Sequence, residues 1–247
     1  MEHNITDVTS MSSPAVPDVF SPQRFKSCAA AHVAERLPGC MRQRRASVLA
    51  AARRRMATEG YERFTLRTLA IDCDTTVQTV YNLIGNKTEV LTEAIADYGR
   101  ALAETVGGWR NHPYRILELI EVIWQGTILQ PEYMRQASLG YADLDRIWHG
   151  SIHRAGVRFV EICLADVRHN LRQSIDYRAL ADAMNSAIAT AMQEWARDKV
   201  DVELLRANLF NRSGLLLLGA LQPAETSRLE RWFRQPYQPS PSCHFHR

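Results

Sequence analysis

The sequence predicts an all-α protein: a three-helix head with a helix-turn-helix, joined by a linker helix to a larger helical bundle. Apolar residues recur at the spacing of one helix face over most of the chain, as at Val48, Ala52 and Met56. Helix-capping residues precede several of these segments, and Gly60 follows the first of them. No segment alternates apolar and polar residues in the way of a half-buried strand. Helices are therefore expected over nearly the whole chain.

Composition divides the 247 residues into four parts. Residues 1–40 are rich in serine and proline and are expected to form a flexible arm. Residues 41–90 are predicted to form the head and residues 91–235 the bundle. A flexible tail is expected over residues 236–247.

The bundle helices are predicted from their capping residues and their apolar spacing. Asp143 is expected to cap a long helix that reaches about residue 171. Gly150 and Gly156 lie inside this predicted helix, where glycine is unusual and indicates a bend or a close contact. Two further helices are predicted to begin at Asp176 and Asp201.

Cysteine usage and hydropathy indicate a cytoplasmic protein. The five cysteines are odd in number, lie far apart and form no C-x-x-C pair, so they suggest neither a disulfide framework nor a zinc site. The longest apolar run, residues 214–221, is far shorter than the ~18 residues of a membrane helix. We therefore expect a cytoplasmic protein that needs no membrane, metal or cofactor.

Positive charge is concentrated at the start of the predicted head. Residues 36–67 contain nine arginines but only two acidic residues, a local balance of +7, whereas the whole chain carries +3. Such a patch would suit a polyanion, for example a nucleic acid. A solvated helix face is an equal alternative on charge alone, so the neighbouring residues decide the interpretation.

The stretch from Thr75 to Leu83 lies beside this patch and concentrates β-branched residues, which favour strands. Val80 and Ile84 nevertheless follow the spacing of one helix face. Thr65 and Thr76 are suited to cap two short helices separated by a tight turn. Two short helices joined in this way form a helix-turn-helix, whose second helix fits the major groove of DNA.

This part of the chain, about residues 45–91, resembles the DNA-binding head of the TetR/AcrR family of transcriptional regulators. The matching segments read VLAAA, GYERFTLRTLA and TVYNLIGNK, in this order. Four positions depart from the family pattern: Asp74 replaces a usual glycine, Thr75 an apolar core residue, Ile84 an aromatic residue and Arg55 a leucine. Aspartate tolerates the left-handed backbone expected in the turn better than most residues do.

The resemblance implies which residues contact DNA. Val77 and Gln78, at the start of the second helix, would meet base edges, and Arg67 would reach in from the first helix. The residues expected to hold phosphates are Thr65, Thr76, Thr79, Tyr81 and Lys87. For Val77 and the nearby Thr75, packing inside the head is the alternative.

The resemblance also implies a homodimer, because two heads related by a two-fold axis would read a palindromic operator. The residues expected at the dimer interface are Leu180, Met184, Ala187, Ile188, Ala191, Leu205 and Leu209. The middle helices are expected to enclose a pocket for a partly apolar small molecule. Its expected contacts are Trp124, Gln125, Trp148, His149, Ile152, His153, Phe159 and Asn185. For both groups, an ordinary place in the core is the alternative.

The predicted function is sequence-specific DNA binding by a transcriptional regulator, a repressor that the small-molecule effector releases from double-stranded DNA. An architectural or ligand-independent DNA-binding protein is one alternative. A helical-bundle metal enzyme is another, because His149 with His153, and Asp166 with His169, loosely match the spacing of bundle metal sites. Neither G-x-S-x-G nor a phosphate-loop motif occurs, and no enzyme activity is expected.

Overall fold

The computed structural model describes residues 39–105, 113–147 and 150–234, and it confirms the predicted all-α class. Within these ranges the backbone forms ten α-helices and one short 3-10 turn, with a single isolated bridge between Leu171 and Leu221. The helices are α1 (Gly39–Glu59), α2 (Leu66–Asp72), α3 (Val77–Leu83), α4 (Lys87–Thr105), α5 (Arg115–Leu129), α6 (Pro131–Ile147), α7 (Ser151–Cys163), α8 (Tyr177–Ala196), α9 (Val202–Ala220) and α10 (Pro223–Arg234). Every helix in the described part is too short or too polar to cross a membrane.

The helices of the head begin and end at the residues that the sequence indicates. α1 ends at Gly60, which has a left-handed backbone with a φ of 84° and donates its N–H to the Met56 carbonyl. Thr65 and Thr76 cap α2 and α3, because each hydroxyl accepts a hydrogen bond from a backbone N–H in the first turn. Asp74, in the turn between them, has a φ of 45°. The predicted left-handed turn and both predicted caps are confirmed.

α1 joins the head to the bundle. It packs against α2 and α3 of the head and also against α4 and α6. Val48, Ala52 and Met56 of α1 are buried, as are Leu69 of α2 and Val80 of α3. These residues belong to one hydrophobic core that continues from the head into the bundle.

α8 occupies the centre of the bundle. It packs against α6, α7 and α9, while α9 also packs against α5 and α10. Asp176 and Asp201 cap α8 and α9 by accepting hydrogen bonds from the backbone N–H groups of Ala179 and Leu204, as predicted.

The predicted long helix from Asp143 to about residue 171 is wrong. α6 continues through Asp143 to Ile147, and α7 begins only after Gly150. Gly150 has a φ of 77°, a left-handed conformation that a continuous right-handed helix cannot contain. Gly156, inside α7, makes the close contact that the sequence indicates, because a Cβ there would lie 2.3 Å from the Asn185 side-chain oxygen on α8.

The predicted arm and tail lie almost entirely outside the described residues. The exceptions are Gly39 and Cys40, the last two residues of the expected arm, which already belong to α1.

Candidate functional site

α3 has one buried side and one exposed side. Val80 is fully buried in the head, whereas Val77 and Tyr81 have exposed fractions of 42% and 54%. Gln78 is also exposed, and its side-chain amide donates a hydrogen bond to the Asn82 side-chain oxygen over 2.8 Å. The β-branched stretch is therefore a helix, and its first turn presents an apolar group beside an amide, two groups that can read base edges.

The other residues expected to contact DNA lie on the elements next to this face. Arg67 of α2 is exposed, and Thr65 and Thr76 are exposed while their hydroxyls cap the two helices. The Thr79 hydroxyl lies 2.9 Å from that of Thr76. The Lys87 ammonium, at the start of α4, donates to the Glu62 backbone carbonyl over 2.6 Å. Their roles towards DNA remain predictions.

The basic patch contains arginines in two different environments. Arg45 pairs with Glu93 of α4, and the fully buried Arg53 pairs with Asp97 of the same helix. Arg44 is exposed and donates instead to the Thr75 hydroxyl over 2.8 Å. Some of these arginines therefore form ion pairs between α1 and α4. The positive charge available to a polyanion is smaller than the local balance of +7 counted in the sequence.

Arg55 joins α1 to α2. Its guanidinium donates to both carboxylate oxygens of Asp72, over 2.5 and 2.7 Å, and also pairs with Glu59. The hydrogen bond from Arg55 lowers the pKa of the Asp72 carboxyl below its usual value of 3.8. The contact between α1 and α2 therefore includes an ion pair that depends on pH.

Asp72→Asn is expected to reduce the free energy of unfolding at pH 7 by about 1 kcal/mol or less, because the partly exposed pair is screened by solvent. A carboxyl whose pKa is lowered by folding stabilises the fold above its unfolded value, and this contribution is lost as the pH falls through the folded value. Urea unfolding at pH 7 and at about pH 3 should therefore show a difference from wild type that shrinks in acid. Asp74→Asn is the matched control, and an equal effect there would contradict the assignment.

The head docks onto the bundle through Tyr61. Its hydroxyl bonds to the carboxylate of Asp143, and its backbone N–H donates to the side-chain oxygen of Gln136 over 3.3 Å. Its ring lies against Gly140, where a Cβ would be 3.3 Å from the ring. Burial raises the pKa of the Tyr61 phenol, and so does the hydrogen bond to Asp143. The three partners all belong to α6, which therefore holds the head directly.

A cavity of about 190 Å³ lies between α4, α5, α6, α7 and α8. Among the described residues, its lining contains no side chain that is charged at neutral pH. The larger lining side chains are Ile95, Tyr98, Leu102, Leu119, Ile123, Tyr133, Met134, Tyr141, Ile152, Phe159, Asn185, Ile188 and Met192. The polar groups are few, and the Tyr98 hydroxyl is already bound to the Gln130 side-chain oxygen over 2.7 Å.

Asn185 is the best-placed polar group of the cavity. Its amide nitrogen donates to the Tyr141 hydroxyl over 3.1 Å and lies 3.2 Å from His153 Nδ1. Because an amide NH₂ can only donate, His153 Nδ1 accepts, and the ring proton on Nε2 donates to Asp182 over 2.7 Å. A chain of hydrogen bonds thus fixes Asn185 from α6, α7 and the surface of α8.

The expected effector contacts fall into three groups. Ile152, Phe159 and Asn185 line the cavity, and His153 supports Asn185 from behind. Trp124 and Gln125 are not among the lining residues: Trp124 donates to the Val202 carbonyl, and Gln125 donates to Glu121. Trp124 thus bonds to α9 and Gln125 to its own helix, which corrects their expected place in the cavity. Trp148 and His149 lie outside the described residues.

The sequence did not predict the aromatic residues that α4 and α6 contribute to the cavity. Tyr98 and Tyr133 meet edge to face, with ring centroids 5.2 Å apart. Each tyrosine follows the apolar spacing of its own helix, as an ordinary core residue does. Only the packing of α4 against α6 shows that both lie beside the cavity.

Six of the seven expected dimer residues lie inside the core of the single chain. Met184, Ala191 and Leu205 are completely buried, and the other buried members are Leu180, Ile188 and Leu209. These residues pack α8 and α9 against the rest of the bundle, which corrects their assignment as contacts with a second copy. Ala187 is the one member that keeps an accessible surface.

A different face of α9 carries exposed apolar residues. Leu204 and Leu215 have exposed fractions of 48% and 70%. They belong to a row with the 4-3-4-3 spacing of one helix face, which contains Leu204, Asn208, Asn211, Leu215 and Leu218. These two leucines are the large apolar side chains that α9 exposes most.

The residues proposed for a metal site have other surroundings. Asp166 accepts a hydrogen bond from the Arg115 backbone N–H over 2.9 Å, and His153 binds Asp182. In the part of the chain that the structure covers, no three histidine, cysteine or acidic side chains form a group that could hold a metal ion.

A capped helix-turn-helix head on an α-helical bundle is the fold of the TetR-family transcriptional regulators, and solved structures show the similarity. TylP, a TetR regulator from Streptomyces fradiae, is 18% identical over 77% of this chain and 95% of its own, with a TM-score of 0.52. SmeT, the repressor of the multidrug efflux pump SmeDEF of Stenotrophomonas maltophilia, is 15% identical over 72% of this chain and 91% of its own, with a TM-score of 0.51. No protein-family model matches the sequence, and no curated protein matches it.

Proposed function

We propose that the chain is a member of the TetR/AcrR family, a repressor that binds a palindromic operator as a homodimer and is released by a small molecule. The observation that carries this proposal is the exposed first turn of α3, where Val77 and Gln78 stand above the buried Val80. The caps and the left-handed turn fix this helix on the surface of the head. A surface helix held in this way can enter the major groove.

In the proposed complex, residues of the head have two kinds of role. Gln78 hydrogen-bonds an adenine edge, Val77 contacts a thymine methyl group, and Arg67 reaches a guanine from α2. The residues that hold phosphates, and so set the register on the duplex, are Thr65, Thr76, Thr79, Tyr81 and Lys87.

Gln78→Ala is expected to weaken binding to one operator sequence by ~1–3 kcal/mol and to relax the preference at one base pair. Lys87→Ala should weaken binding to all sequences alike and lower the salt dependence, because phosphates carry no sequence information. Binding to a panel of single-base operator variants measures both effects. A uniform loss of affinity in Gln78→Ala would contradict its assignment to a base.

The proposed dimer uses the exposed face of α9 rather than the buried stripe of α8. Leu204 and Leu215 supply its apolar contacts, and the half-buried Ala187 allows close approach of α8. A two-fold axis through this face would pair the same residues of both copies and place two heads on half-sites about one DNA turn apart.

The proposed effector is an uncharged, largely apolar molecule with one hydrogen-bonding group. Its class follows from the cavity, whose described lining is uncharged and in which Asn185 is the fixed polar group. A buried charge in such a place would lose its hydration without a partner. The effector would release DNA by preferring the conformation whose heads are wrongly spaced, with a coupling of typically ~1–3 kcal/mol.

Selection of bound sequences from random DNA tests the proposal as a whole. The expected result is one enriched motif with two inverted halves, whose binding weakens when a neutral apolar compound is added but not when its charged analogue is added. A protein that enriches no motif would contradict the proposed function. A motif insensitive to every compound would instead favour ligand-independent DNA binding.

A further inference from the structure

Thr75 closes the turn of the helix-turn-helix. Its backbone N–H donates to the Ala70 carbonyl over 2.9 Å, and the next residue, Thr76, caps α3. Its hydroxyl accepts a hydrogen bond from the Arg44 guanidinium of α1, 31 residues earlier, over 2.8 Å. An arginine of α1 is thereby held one residue away from the cap of the helix that faces DNA in the proposed function.

The contact of Arg44 differs from those of the arginines near it. Arg45, Arg53 and Arg55 bind carboxylates, which neutralise their charge. A threonine hydroxyl carries no charge, so it fixes the position of the Arg44 guanidinium and leaves its positive charge in place. One of the five N–H donors of a guanidinium suffices for this bond, and the others can meet a further acceptor.

The position of this cation matches the geometry of groove binding. When the first turn of a recognition helix enters the major groove, which is ~12 Å wide, the phosphates of both strands border it. Thr75 lies one residue before the cap of that turn, and the exposed Arg44 lies within hydrogen-bond distance of Thr75. Arginine is well suited to a phosphate at such a border, because its planar group can donate two parallel hydrogen bonds.

We propose that Arg44 is a phosphate-binding residue that Thr75 holds in its binding position. This inference rests on the proposed DNA-binding function and adds to it a contact from α1. It also gives a role to Thr75, which stands where the family usually has an apolar core residue: its hydroxyl orders the arginine before DNA arrives, and this reduces the entropy lost on binding.

The salt dependence of DNA binding tests the phosphate contact. The probe is a duplex of the motif selected by the wild-type protein, and the measurement is log K against log salt concentration. Arg44→Ala is expected to lower the magnitude of the slope by ~0.9 for each of the two copies in the proposed dimer, ~1.8 in all, and the affinity at least ~10-fold. Arg158→Ala, which removes the same charge from an exposed position on α7, serves as the control and should leave the slope unchanged.

A double-mutant cycle tests the role of Thr75. Thr75→Val keeps the side-chain shape but removes the acceptor, so the affinity should fall about two- to tenfold with little change in slope. In the Arg44→Ala background the same substitution should have no further effect, because the arginine it positions is gone. Thermal unfolding of each variant shows whether the head remains folded.

The outcomes separate this inference from the function on which it rests. A wild-type protein that selects no motif overturns both. A wild-type protein that selects a motif, with equal slopes for Arg44→Ala and Arg158→Ala, overturns the phosphate contact alone. Equal losses from Thr75→Val in both backgrounds overturn the positioning role of Thr75.

Discussion

Asp97→Ala is expected to lower the free energy of unfolding by about 3–5 kcal/mol, the usual cost of removing one partner of a buried ion pair. Arg53 is completely buried, and its guanidinium donates to the Asp97 carboxylate over 2.7 Å. The substitution leaves the buried guanidinium without this carboxylate and also opens space between α1 and α4. Urea unfolding at neutral pH measures the effect.

Two controls isolate burial as the cause. Glu93→Ala breaks the Arg45–Glu93 pair, which joins the same two helices nearer the surface and should cost at most about 1 kcal/mol. Arg53→Met combined with Asp97→Leu should recover most of the lost stability, because apolar side chains of similar size often replace a buried pair without loss. Equal costs for Asp97→Ala and Glu93→Ala would contradict the assignment.

Leu215→Glu is expected to convert the proposed dimer into a monomer and to abolish high-affinity operator binding. Leu215 is 70% exposed in the single chain, so the substitution should leave the fold of each chain intact. In a two-fold interface each substitution enters twice, and two carboxylates would lose their hydration at an apolar contact. The dissociation constant of the dimer should rise at least ~100-fold, which sedimentation velocity over a range of concentrations can measure.

Leu129→Glu is the matched control for this experiment. Leu129 ends α5 and is 55% exposed, so it offers a similar leucine at another place on the surface. If the dimer persisted in Leu215→Glu but dissociated in Leu129→Glu, the interface would lie at the end of α5 rather than on α9. A wild-type protein that sediments as a monomer would contradict the dimer itself.

Local features of the fold could be predicted because their causes are local. Thr65, Thr76, Asp176 and Asp201 cap helices through hydrogen bonds to backbone groups three residues away, so the sequence alone contains both partners. Gly60 ends α1 for a similarly local reason. The β-branched start of α3 was also predictable, since its helical spacing outweighs the weaker propensity for strands.

The remaining features depend on tertiary packing. The apolar stripe of α8 predicts that other side chains pack against it. The spacing of Met184 and Ile188 does not show whether those side chains belong to the same chain or to a second copy. Trp124 belongs to the α5–α9 contact rather than to the cavity for the same reason. Arg53 looked like part of a basic surface because Asp97 lies 44 residues further along the chain.

α6 contacts both the cavity and the head, so a tilt of this helix at the cavity would also move the head. Met134 and Tyr141 line the cavity, whereas Gln136 and Asp143 bind the backbone and hydroxyl of Tyr61. A helix of 17 residues is about 25 Å long at 1.5 Å per residue, so a tilt of about 10° about one end moves the other end by about 4 Å. In the proposed dimer, a molecule that fills the cavity and tilts α6 would therefore move the attached head by more than the length of a hydrogen bond.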